Sequence, residues 1–132
     1  FYIMKRFRFP FFAALILVSC QENIEDKALR ETKEYTRKNC PMKINDNVVI
    51  DSMTFERDSR TISYYYSMLG TADTTAIDKS SAREQLVRGI IESTSIRKYK
   101  ENNFSFSYSY FSTKHKGKLL LKVVVKPEDY NK

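Results

Sequence analysis

The run Phe104-Ser105-Phe106-Ser107-Tyr108-Ser109-Tyr110 decides the fold class. Aromatic residues and serines alternate without a slip, and a period of two belongs to a strand whose successive side chains point to opposite faces. One face of this strand is aromatic and the other carries hydroxyls. A strand divided in this way fits a sheet covered on one side only, the usual condition of antiparallel sheets. Downstream, Lys114-His115-Lys116-Gly117-Lys118 reads as a turn. Leu119, Leu121, Val123 and Val125 then line one face of a second strand, with Lys122 and Lys126 on the other. Pro127 ends it, and the two strands make a β-hairpin.

Upstream the same pattern recurs. Residues 48–55 carry Val48, Val49 and Ile50, then Met53 and Phe55 on alternate positions. Glu56-Arg57-Asp58-Ser59-Arg60 is a polar turn. In residues 61–69, Ile62, Tyr64, Tyr66 and Met68 oppose Ser63, Tyr65 and Ser67. Between the hairpins lies a Thr-rich loop over 70–78, and Ser81-Ala82-Arg83-Glu84 then matches a capping box. Ala82, Leu86, Val87, Ile90 and Ile91 follow at helical spacing, and residues 96–101 add another helical turn after Ser93-Thr94-Ser95. Residues 24–38 predict an amphipathic helix, with Ile24, Ala28, Leu29, Thr32 and Tyr35 on one face and Pro41 beyond its end. The order helix, hairpin, helix, hairpin predicts an α+β domain. Two tandem helix–β-hairpin units form a four-stranded antiparallel sheet with the helices on one face.

The N-terminal segment has a different character. The first residue is Phe, so the reading takes Met4 as the start. Lys5, Arg6 and Arg8 precede an apolar run over 9–18, shorter than the roughly 20 residues that cross a bilayer. A cationic head, a short apolar middle and a small residue before the cut are the marks of a secretory signal peptide. Leu17-Val18-Ser19-Cys20 resembles the lipobox of bacterial lipoproteins. The resemblance implies that the Cys20 thiol takes a diacylglyceryl group, that a peptidase cuts before Cys20, and that the new amine is acylated, typically with palmitate. Two acyl chains suffice for stable anchoring, since each buried methylene contributes about 0.8 kcal/mol. The expected organisation is a signal peptide over 1–19, a lipidated N-terminus over 20–23 and one small domain over 24–132. Gln21 is not the aspartate that retains some lipoproteins at the inner membrane. The expected address is therefore the cell envelope, with the outer membrane favoured and either its periplasmic or its surface face open.

Composition narrows the function. The whole chain has 23 Lys and Arg against 16 Asp and Glu, a net charge of +7. Without the three cations of the leader, 20 remain against 16, or +4. That mild excess does not point to nucleic acid. With Cys20 acylated, Cys40 has no partner for a disulfide within the chain. His115 is the single histidine, so no zinc site is expected, and neither metal nor cofactor is called for. Asn45-Asp46-Asn47 reads as a turn rather than a calcium loop. No Gly-flanked nucleophile is present, and the reading is non-enzymatic. Tyr64, Tyr66, Tyr108 and Tyr110 form an aromatic ladder that serves either as core or as a platform for sugar or peptide, with core the stronger reading. Tyr65, on the opposite face, is the candidate for an exposed contact. Lys114, Lys116, Lys118, Lys122 and Lys126 form a basic strip suited to lipid phosphates or an acidic partner, or simply to guarding an edge strand. Together these features predict a membrane-anchored lipoprotein that binds or assists a protein or envelope component. The alternative reading is an inhibitor or immunity protein against an exported enzyme or toxin.

Overall fold

The structure is a computed structural model that describes residues 22–132. The expected leader, Cys20 and the rest of the Leu17–Cys20 box lie outside the described residues. Helix α1 spans Ile24–Asn39. Asn23 caps it, its side chain accepting from the Asp26 N–H at 2.8 Å. Glu25 and Asp26 in the first turn and Arg37 and Lys38 in the last complement the helix dipole. Ala28 and Thr32 are buried on the side that meets the sheet.

The sheet has five strands: β1 Met42–Asn45, β2 Val48–Glu56, β3 Thr61–Met68, β4 Ser105–Ser112 and β5 Leu119–Val125. They lie in the order β1-β2-β3-β4-β5. This corrects the expected four antiparallel strands in two respects. A short extra strand, β1, pairs with β2 after α1 ends. In addition, β3 and β4 run parallel, while the remaining neighbours are antiparallel. The parallel join has a simple cause. Three helical segments, α2 (Gly70–Thr74), α3 (Lys79–Glu92) and α4 (Arg97–Glu101), carry the chain from the end of β3 back to its beginning. There the Ser105 N–H donates to the Arg60 carbonyl at 3.0 Å, and β4 starts beside Thr61. A crossover containing helix is what a parallel pair requires.

Three boundaries also move. Helix α3 starts at Lys79 rather than Ser81, because Asp78 is the cap and its carboxylate accepts from the Ser81 N–H at 3.1 Å. Pro127 both ends β5 and opens a last helix, α5 (Pro127–Tyr130), where its missing N–H costs nothing. A register shift between Tyr110 and Phe111 places Leu119 opposite Phe111. Leu119 therefore leaves the core face expected for it and is 46% exposed.

The core lies between one face of the sheet and the helices. Phe55, Ile62, Phe106, Tyr108, Leu121, Val123 and Val125 from the strands meet Ala28, Ile90, Tyr99 and Tyr130 from the helices. Phe104 and Phe106 are fully buried, and each such side chain contributes about 2–3 kcal/mol through lost apolar exposure. The Tyr130 hydroxyl donates to the Phe104 carbonyl at 2.6 Å and so fastens the C-terminal helix. The two ends of the sheet differ. The first turn of α1 is held at the β2–β3 turn, where Arg57 meets Asp26 at 2.6 Å and Arg60 meets Glu25 at 3.8 Å. The β4–β5 turn is at the other end, where the Thr113 hydroxyl donates to the Met68 carbonyl at 2.6 Å.

Candidate functional site

Two surfaces of the sheet offer recognition chemistry. The parallel register sets Tyr64 beside Tyr108 and Tyr66 beside Tyr110. Their rings stack at 4.8 Å and 4.7 Å, with Tyr66 and Tyr108 at 6.4 Å. Stacked pairs of this kind contribute about 0.5–1.5 kcal/mol each beyond area burial. Because α1 packs on β2 while α3 packs on β5, the central strands are the least covered. Tyr108 is buried, but Tyr64, Tyr66 and Tyr110 are only half-buried. The ladder thus serves as core with one side still open. Burial pushes the Tyr64 hydroxyl up to about 12, with Tyr35 of α1 adding to the shift. Burial likewise raises Tyr66, Tyr108 and Tyr110. All four are neutral donors at physiological pH. Next to Tyr110 a cavity of about 380 Å³ opens, lined by Met68, Ile77, Ala82, Gln85, Leu86 and Leu121. Of the four ladder rings only Tyr110 lines this cavity, and we call the open side of the ladder together with the cavity the tyrosine-floored cleft.

The opposite face of the sheet carries Tyr65. It borders a groove of about 350 Å³ together with Ser63, Ser107, Ser109, Phe111 and Lys122. The three serines form the floor and are 4–6% exposed. Two of the sequence candidates, Tyr65 and Lys122, therefore meet in one place. The others do not. Lys114, Lys116 and Lys118 are exposed in and beside the β4–β5 turn, and Lys126 is at the far end of β5. Phe111 was missed as a site residue, while the serines were expected on this face as solvated hydroxyls rather than as a buried floor. A serine on the wet side of an alternating strand reads as solvated, and only its large neighbours bury it.

The turn beyond β4 is organised by Asp73 of α2. Its Oδ2 accepts from the N–H groups of Thr113 at 3.1 Å and Lys114 at 2.7 Å. The Ser112 hydroxyl, these amides and nearby His115 hold the Asp73 carboxyl below its ordinary range. His115 itself is exposed. Cys40 is half-buried, and burial, reinforced by Asp51, pushes its thiol up, away from the nucleophilic thiolate. Among the described residues no group of three or more His, Cys, Asp or Glu could hold a metal ion, and no helix is long and apolar enough to cross a membrane.

This fold can be compared with known proteins. A family described as a domain of unknown function (DUF8479) matches residues 23–121. The chain belongs to that family. The match takes in α1, all of β1 to β4 and the start of β5. Among curated proteins nothing matches. Solved structures do. A Pseudomonas aeruginosa protein considered to be secreted is similar at a TM-score of 0.65 and 13% identity, covering 83% of this chain and 99% of its own. A pilotin of the Vibrio vulnificus type 2 secretion system is similar at 0.63 and 11%, covering 80% and 90%. The Vibrio cholerae type II secretion pilotin is similar at 0.60 and 17%, covering 86% and 97%. At these identities the likeness is one of fold.

Proposed function

We propose that the protein is a lipid-anchored, non-catalytic accessory module of a bacterial cell envelope, pilotin-like in use as well as in fold, which holds a protein partner in its tyrosine-floored cleft. The observation that carries this reading is the shared architecture, which spans 90% and 97% of two type 2 secretion pilotins. The lipobox resemblance at Leu17–Cys20 supports the anchor, with the outer membrane as its place. The cleft supports the partner: half-buried aromatic rings with polar tips suit a surface that is apolar at its centre and wet at its rim. The adjoining cavity has room for an apolar side chain of the partner against Leu86, Ile77 and Tyr110. Catalysis has little to work with, given an exposed His115 and a Cys40 thiol held protonated.

The reading is tested by site-specific photo-crosslinking in the native envelope. A benzophenone side chain replaces Gln85 at the cleft or, as control, the exposed Lys33 on α1. The expected result is a discrete crosslinked species from position 85 and none from position 33. The same pattern from both positions, or no species at all, removes the cleft as a partner site.

A further inference from the structure

Strand β5 is the last in the sheet, and its outer edge is only half closed. The Ser105 N–H faces β3, so the odd-numbered residues of β4 turn their backbone groups toward β3. Their partners on β5, Val124 opposite Ser107 and Lys122 opposite Ser109, then turn theirs outward. At one end the protein closes this edge itself. Asp129 Oδ2 accepts from the Lys126 N–H at 2.8 Å, and Arg83 Nη1 donates to the Val124 carbonyl at 3.1 Å. Asp129 also holds Arg83, at 3.1 Å. Beyond Val124 the closure stops. Among the described residues nothing bonds the outward backbone groups of Lys122. A groove of about 150 Å³, lined by Lys79 and residues 119–122, runs beside them.

The surroundings of this open stretch are cationic. Lys79, Lys114, Lys116, Lys118 and Lys122 are all exposed. The ion pairs formed among the described residues use Arg30, Arg57, Arg60, Arg83 and Arg88, never a lysine. Leu119, displaced by the register shift, adds an exposed apolar side chain at the same place. We propose that the open stretch of β5 around Lys122 accepts an extended acidic segment of a partner protein as a sixth strand. Main-chain bonds to Lys122 supply the pairing, carboxylates answer the lysines, and Leu119 seats an apolar residue. A second copy of the chain would set lysine against lysine along the shared edge, so the same residues that discourage self-pairing select an acidic guest. The site adjoins the tyrosine-floored cleft at Leu121, which lines both, but it uses the outward main chain of β5 and does not depend on a partner in the cleft.

The test uses the full acylated protein in detergent and a short fluorescent peptide of alternating Glu and Val. Three companions are a Lys–Val peptide, a Glu–Val peptide N-methylated along one backbone edge, and the Lys122→Pro protein, in which the outward N–H is lost at an edge position that tolerates proline. Saturable binding of the Glu–Val peptide is expected, weakened by added salt and by K79E, and at least about tenfold weaker with Lys122→Pro or the N-methylated peptide. The Lys–Val peptide should not bind. Should Lys122→Pro fail to fold, the N-methylated peptide interrogates the same bonds on the intact protein. Equal binding of the N-methylated peptide overturns the proposal, as does an absence of saturable Glu–Val binding. Dimerisation of the wild type that is abolished by Lys122→Pro would overturn it too, by giving the edge to a second copy.

Discussion

Asp73 illustrates how much one side chain decides. A single carboxylate oxygen gathers two backbone amides 40 and 41 positions away, joining the loop after β3 to the turn after β4. The Ser112 hydroxyl and those amides depress its folded pKa below the ordinary 3.8. A depressed carboxylate contributes stability that is fully present above the unfolded value and is lost as pH falls through the lower folded value. The melting temperature of the wild type should therefore fall more steeply on acidification below pH 3.8 than that of Asp73→Asn. Parallel melting curves for the two proteins through that range would remove Asp73 from the account. Nothing in the sequence around Asp73 advertises this role, since the contact is long-range. By contrast, the pairing of Tyr65 with Lys122 on one face was legible, because strand parity alone sets both residues opposite the aromatic ladder. The serine floor beside them was not, because a serine's burial is set by the residues on the flanking strands, here Val124 opposite Ser107 and Lys122 opposite Ser109, rather than by serine itself.

At the level of elements, side chains close the exposed edges of the sheet at two places. Thr36 of α1 reaches β2 beyond the end of β1: its hydroxyl donates to the Met53 carbonyl and accepts from the Met53 N–H, both at 2.9 Å. Arg83 and Asp129 do the equivalent work on β5. Thr36→Val keeps the shape and leaves both Met53 groups unpaired. It should cost about 1–3 kcal/mol, read as a lower urea midpoint at unchanged slope. An unaltered midpoint would mean that water satisfies Met53 as well as Thr36 does. The strands with strict alternation were legible in advance, as were α1 and α4. The strand β1 was not: Met42 and Ile44 alternate with Lys43 and Asn45, but two apolar residues in a run of four are too few to declare a strand. The parallel join was hidden for another reason. Alternation reports which face a residue occupies, whereas strand direction is set by how far the helical crossover carries the chain. Ser81-Ala82-Arg83-Glu84 misled because Asp78, three residues earlier, is a competent cap of its own.

For the molecule as a whole, the central expectation is the anchor. Cys20→Ala should abolish incorporation of labelled palmitate and release the domain from the membrane fraction, while leaving the thermal unfolding of residues 22–132 unchanged. Retention of both label and membrane association would end the lipoprotein reading. With the lipid on Cys20, the placement of α1's first turn at the β2–β3 end sets the β4–β5 turn across the length of the sheet from the attachment point. Eight residues of β3 at about 3.3 Å each put roughly 25 Å between the two ends. The potential of anionic headgroups decays over about 8 Å in physiological salt. A molecule standing upright on its anchor would thus hold Lys114, Lys116 and Lys118 some three screening lengths clear of the bilayer, where they are free to sense charge on whatever approaches from solution.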